Sequence, residues 1–236
     1  KVRIRLVNDF KDSPLVPDQM YAVAATYEQI VAYKDAAAWL EKFHEKYAKD
    51  PANKDRAKDA LFNASIYRHG TGDTKQAVLD REAYLKTYPD AKDAEDVSYS
   101  IATAWEEALN YKKAVEAYDT FADKWRKKNP ARALNAQYKA LRLREKARAG
   151  KTELDKAFRN VEIQSAQYRK AGKPLDDVGD PLALVAFRNA DEVLEKYKAL
   201  KIAKPDKLAE FKKTLEQKRK AKEAVDGAYL EVVKLK

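Results

Sequence analysis

The chain has no cysteine, only six glycines and eight prolines in 236 residues, and no long apolar run. Without cysteine there is no disulfide framework, no thiol nucleophile and no cysteine metal site. So few glycines and prolines leave little punctuation, which favours long helices over many short strands. No stretch approaches the roughly 18 apolar residues needed to cross a bilayer. Histidine is also scarce. His44 and His69 are the only two, and neither has a second histidine at metal-ligand spacing. They read as solvated or capping side chains. There is no glycine-rich phosphate loop, no G-x-S-x-G elbow and no acid pair isolated on an apolar face. Glu106-Glu107 and Asp176-Asp177 are adjacent acids in ordinary helix and loop settings, and Asp176, Asp177 and Asp180 lack the spacing of a calcium loop. The sequence therefore offers no catalytic residue, no metal ligand set and no cofactor site.

Charge and small apolar residues are abundant. Charged residues make up 36% and hydrophobic residues 45% of the chain, a balance that suits helices with wide solvent contact. The net charge of +10 is unevenly placed. Residues 1–130 carry 22 basic and 22 acidic side chains, whereas residues 131–236 carry 26 and 16. The two parts are expected to differ in role.

A phrase recurs in the first part. Ala36, Leu40, Phe43 and Tyr47 follow one another at steps of four, three and four. Ala77, Arg81, Tyr84 and Tyr88 repeat those steps, and so do Ala114, Tyr118, Phe121 and Trp125. An earlier phrase precedes each one: Ala24 with Tyr27, Ala64 with Tyr67, Ala102 with Trp105. Turn residues separate the two phrases, as in Gly70-Thr71-Gly72-Asp73, and Pro51, Pro89 or Pro130 follows the second. Each unit reads as two antiparallel helices. Its alanines permit close approach and its aromatics fill the space between neighbouring units. One such unit cannot bury its apolar face alone, so units must stack.

This pattern resembles the tetratricopeptide repeat (TPR) family, whose repeat is about 34 residues. The resemblance covers residues 18–130. FHEKYAKDP and YLKTYPD are similar to divergent repeats of Gram-negative cell-envelope proteins, of the outer-membrane assembly lipoprotein and TolA-binding type. The expected architecture is an all-α, α-α superhelical solenoid. Three repeats are placed at about 18–51, 54–89 and 92–130. Residues 1–10 read as the end of a truncated upstream repeat, with Phe10 in the place of Tyr88. Residues 131–171 form a degenerate repeat and 172–181 a loop in which Asp180 caps a helix opened by Pro181. Long helices follow over 181–199 and 205–234.

The resemblance implies a groove lined by the first helix of each repeat. Carried over by offset, its residues are Tyr21, Ala25 and Glu28; Lys58, Leu61, Ser65 and Arg68; and Asp96, Tyr99, Thr103 and Glu106. Tyr21 and Ala25 stand where a carboxylate-clamping family member has lysine and asparagine, so binding of a chaperone tail is not expected. Trp105 and Trp125 occupy packing positions, while Trp39, one step off the frame, is expected at the surface. The implied function is a non-catalytic protein-protein interaction scaffold, a piece of a larger bacterial protein of the periplasm or cell envelope, with the cytoplasm as the alternative compartment. Tyr99→Ala and Arg68→Glu are expected to weaken partner binding without unfolding. The alternative is electrostatic attachment of residues 131–236 to nucleic acid or anionic lipid through RLREKARAGK and KKTLEQKRKAK. Those basic residues are not confined to one helical face, and no aromatics interleave them for base stacking.

Overall fold

The computed structural model describes residues 1–235. Among them lie eleven α-helices and no strand. They are α1 (Val2–Asp9), α2 (Val16–Gln29), α3 (Tyr33–Tyr47), α4 (Lys54–Gly70), α5 (Thr74–Thr87), α6 (Ala94–Glu107), α7 (Tyr111–Trp125), α8 (Pro130–Lys146), α9 (Lys151–Lys170), α10 (Gly179–Ala199) and α11 (Leu208–Lys234). The chain divides into two compact units, residues 1–117 and 118–236, so the boundary falls inside α7.

In the first unit each helix from α1 to α6 packs on the next in sequence. Alanine at the crossing points explains how. Ala24 of α2, Ala37 of α3, and Ala57, Ala60 and Ala64 of α4 are all buried in one cluster with Val16, Met20, Leu40 and Phe43. A methyl-sized side chain lets two helix backbones approach, and the larger residues then fill the flanks. Leu6 and Val7 of α1 pack against the same cluster. Phe10, in register with Tyr88, is 66% exposed, whereas Tyr88 is buried. A second cluster joins Leu61 of α4, Tyr84 and Tyr88 at the end of α5, and Val97 of α6.

The connections between paired helices share one geometry. After α2, the Ala32 N–H donates to the Tyr27 carbonyl and the Val31 N–H to that of Glu28, both at 2.9 Å. The same two bonds run from Asp73 to Arg68 and Gly72 to His69, from Asn110 to Trp105 and Leu109 to Glu106, and from Ala149 to Arg144 and Arg148 to Glu145. Each helix thus ends in a Schellman motif, with two otherwise orphaned carbonyls satisfied. The left-handed residue of each motif is Val31, Gly72, Leu109 or Arg148, with φ between +56° and +80°. These positions recur at intervals of 41, 37 and 39 residues. The fourth motif closes the α8–α9 pair, beyond the stretch where the sequence phrases are clear.

In the second unit, Leu134 and Leu141 of α8, Ala157, Val161 and Tyr168 of α9, Val178 just before α10 and Leu182 of α10 form one buried cluster. Asn129 caps α8 by accepting the Arg132 N–H at 3.1 Å, and Pro130 takes the first helical position, where its missing N–H costs nothing. The expected start of the next helix at Asp180-Pro181 is corrected. A short 3-10 turn over Asp176–Val178 buries Val178, and α10 already begins at Gly179. Gly179 is required there, because a Cβ would lie 2.8 Å from the Leu235 backbone oxygen. α11 packs along α10, with Tyr229 donating to Asp191 and the Lys218 ammonium donating to the Tyr197 and Leu200 carbonyls at the end of α10.

Candidate functional site

The expected groove residues of α2, α4 and α6 all fall in the first unit, and the structure gives them unlike surroundings. Leu61 is a correction. It is 3% exposed and packs with Tyr84, Tyr88 and Val97, so it is core and meets no partner. Ser65 is also buried and donates to the Phe62 carbonyl within its own helix. The offset fails at these two because α4 packs between α3 and α5, and its apolar face is wider than the aligned phrase implies.

Tyr21 is half-buried. Its ring meets Phe43 edge-on at 4.8 Å, lies under the Arg56 guanidinium, and its hydroxyl donates to the Arg56 carbonyl at 3.0 Å. Burial raises its pKa, with Asp59 adding to the effect. Glu28 is exposed at the surface, and burial, with the Glu28 carboxylate adding to it, pushes the Tyr67 pKa up to about 12. Lys58, Tyr99, Thr103 and Glu106 are half-buried, and Ala25 and Asp96 are exposed. Thr103 donates to the Ser100 carbonyl at 3.1 Å. These residues leave polar and aromatic edges at the surface of α2, α4 and α6.

Arg68 is engaged within the fold. Its guanidinium grips Glu41 of α3 through two bonds, Nε to Oε1 at 2.6 Å and Nη2 to Oε2 at 2.8 Å, and lies 3.7 Å from Asp73. A bidentate pair of this kind is strong and directional. Arg68 therefore ties α4 to the preceding helix pair. Arg144 of α8 makes the same link, to Asp119 of α7, and also meets Glu153. Arg68 and Arg144 both stand four residues before the left-handed residue of their turns, and Glu41 and Asp119 both stand ten after the preceding one. The ion pair is thus a repeated element of the fold. The Arg144 pair lines a charged cavity of about 290 Å³ with Asp123, Lys156 and Asn160.

Two charged residues on α5, neither among the expected site residues, are buried. Asp80 is 4% exposed and Arg81 is 6% exposed. Arg81 sits in the repeat frame where Leu40 and Tyr118 sit in its neighbours, and that mismatch was the available signal. Its guanidinium donates to the Ser100 carbonyl at 2.8 Å, and burial lowers its pKa while Glu107 and Asp80 oppose the shift. Asp80 accepts from Gln76 through Oδ1 at 2.9 Å, and its other oxygen is buried without a donor. Burial pushes the Asp80 carboxyl up to about 7, with the Glu41 carboxylate beside it adding to the rise.

The remaining candidates resolve by packing. Trp39, expected at the surface, is half-buried against the first cluster, with the Lys42 ammonium 5.1 Å from its ring centre. Trp125 is buried and Trp105 is half-buried under Lys113. The His44 Nδ1–H donates to the Ala57 carbonyl at 3.1 Å, and burial lowers its pKa. His69 pairs with Glu107 at 3.0 Å. No group of three or more potential metal ligands occurs among the described residues, and no described helix is long and apolar enough to cross a membrane.

Solved structures similar to this chain are TPR-like repeat proteins. A single-site variant of a protein assigned as a kinesin light chain with nearly identical TPR-like repeats, from Podosopora anserina, is 16% identical. It matches 89% of this chain and 95% of its own, with a TM-score of 0.41. BtubC (BKLC) from P. vanneervenii is 10% identical over 96% of this chain and 87% of its own, with a TM-score of 0.42. The unsubstituted P. anserina protein is 14% identical over 95% and 96%, with a TM-score of 0.38. No protein-family model matches the chain, and neither does any curated protein. The helix pairing described above stands on the chain's own turns and cores, independently of these matches.

Proposed function

We propose that the chain is a non-catalytic protein-interaction scaffold that binds an extended or helical peptide along α2, α4 and α6. The observation that carries this reading is the fourfold recurrence of one helix-turn-helix geometry, with the partly exposed polar and aromatic edges of the first helices left outside the core. Repeats of this kind are stabilised by their neighbours, so their outer positions are free to vary for recognition. Tyr99, with Asp96 and Glu106 on the same helix, is the favoured anchor, since tyrosine combines contact area with a polar tip. A home in a bacterial periplasm or cell envelope belongs to this proposal and rests on the resemblance of FHEKYAKDP and YLKTYPD alone.

The test uses the full chain as bait in extracts of the source cell at low and high salt, beside Tyr99→Ala. A defined protein held at both salts, and lost from Tyr99→Ala while its circular dichroism and Tm are unchanged, supports the scaffold. Nucleic acid or lipid held only at low salt replaces it with electrostatic attachment, since counterion release sets that salt dependence. Against attachment, several charges of α11 are already paired within the helix, among them Arg219 with Glu216 and Lys222 with Asp226.

A further inference from the structure

Three helices of the second unit leave a recess where they meet. Glu162, Ser165 and Arg169 share one face of α9, and Leu182, Val185 and Asn189 share one face of α10. With Ala228 and Glu231 of α11 they line a cavity of about 420 Å³. That volume falls in the range of about 300–1,000 Å³ usual for small-molecule sites. Ala166, Ala186 and Ala228 face it, one from each helix, and their methyl groups stop short of the space that a leucine would fill. The cavity beside Arg144 is lined by charges, whereas this one is walled mainly by apolar side chains.

Ser165 is 2% exposed, and its Oγ has no hydrogen-bond partner among the described residues. A buried hydroxyl left unpaired is costly. A serine side chain is short enough for one χ1 rotation to turn its hydroxyl toward a guest. The apolar walls around it supply few of the roughly two to four polar partners that an ordered water needs. On the solvent side stand Glu162, Arg169 and Glu231, the last paired with Lys234 at 2.8 Å. An anionic guest meets two carboxylates there, and a cationic one meets the guanidinium. Burying either charge against Leu182 and Val185 costs more than burying a hydrogen-bonded neutral group.

We propose that this recess binds a compact neutral molecule with an apolar body and one hydroxyl. The body lies against Leu182, Val185 and the three alanines, and the hydroxyl pairs with Ser165. Serine both donates and accepts, as a hydroxyl guest does. The site belongs to the second unit and does not rest on peptide binding along α2, α4 and α6.

The test is methyl NMR of the full chain titrated with benzyl alcohol, beside toluene, which has the same ring and no hydroxyl. Saturable shifts are expected at the methyl groups of Ala166, Leu182, Val185 and Ala228, with those of the first unit unmoved. Ser165→Ala is expected to weaken benzyl alcohol by roughly three- to tenfold, the usual contribution of one hydrogen bond, and to leave toluene unchanged. Ala186→Phe places a ring in the space and is expected to abolish the shifts from both. Absent or non-saturating shifts in the wild type overturn the site. Ser165→Ala affecting both guests equally, or neither, overturns the pairing with the hydroxyl. The wild-type titration needs no variant, so the proposal remains testable should a variant fold poorly.

Discussion

At the residue scale, three of the four repeat turns carry a side chain in a conformation that favours glycine. Val31, Leu109 and Arg148 have φ of +62°, +57° and +56°. The left-handed region costs an L-residue roughly 1–2 kcal/mol, and a β-branched residue most of all. Val31 and Leu109 are also exposed, so their side chains return little packing. Val31→Gly and Leu109→Gly are each expected to stabilise the chain by about 1 kcal/mol. Urea unfolding monitored by circular dichroism measures this directly, and a loss of stability in both variants would contradict the assignment of strain. Leu61 gives the opposite sign. Truncation to alanine in the Tyr84–Tyr88–Val97 cluster is expected to cost about 2–4 kcal/mol. A groove residue at that position would cost almost nothing, so the same measurement separates core from surface.

At the element scale, the bridge from one helix pair to the next is Arg68–Glu41 and, in the second unit, Arg144–Asp119. Arg68→Glu places a fourth carboxylate among Glu41, Asp73 and Asp80. It is expected to destabilise by about 3–5 kcal/mol, the usual loss when one partner of a largely buried pair is removed. A drop in urea midpoint of that size, with partner binding unmeasurable because the fold is lost, distinguishes this from a recognition role. At α10, Gly179→Ala drives a methyl group toward the Leu235 carbonyl. The expected outcome is faster hydrogen exchange over the last turn of α11 with little change in α8 or α9. Much of the element structure was legible beforehand. The alanine and aromatic steps placed the helices of the first three repeats, because burial in this architecture follows helical periodicity. The start of α10 was not, since the preceding 3-10 turn is held by burial of Val178 in a distant cluster rather than by local capping.

At the scale of the whole molecule, a buried carboxyl and a half-buried imidazole act on stability in opposite pH windows. The pKa of Asp80 is raised from its ordinary value, so the native state keeps a proton that the unfolded chain has released. Its contribution is present below about pH 4 and is lost as pH rises toward about 7. The pKa of His44 is lowered by burial, so the native state resists a proton that the unfolded chain takes up. Its contribution is present above about pH 6.5 and is lost as pH falls through the depressed native value. His44→Gln is therefore expected to narrow the fall in Tm on the acid side. A Tm profile from about pH 4.5 to 8.5, recorded beside the wild type, checks it. An unchanged acid limb would show that His44 is free to protonate in the fold.

The sequence by itself determined that this protein is helical, that its helices pair, and roughly where three of the pairs lie. Those properties are set by local periodicity, turn residues and the scarcity of glycine, proline and cysteine. It also pointed to a family of architectures through the aromatic steps. Tertiary structure decided the rest. The fourth pair was legible only as a degenerate repeat over 131–171, because Arg148 carries no glycine signal for its left-handed backbone, and it shows the same turn as the others through the bonds to Arg144 and Glu145. The division between groove and core at Leu61 and Arg68 depended on α4 being enclosed by α3 and α5. The burial of Asp80, with one oxygen left without a donor, was decided there too, since the cost of burying a charge is fixed by what surrounds it in space.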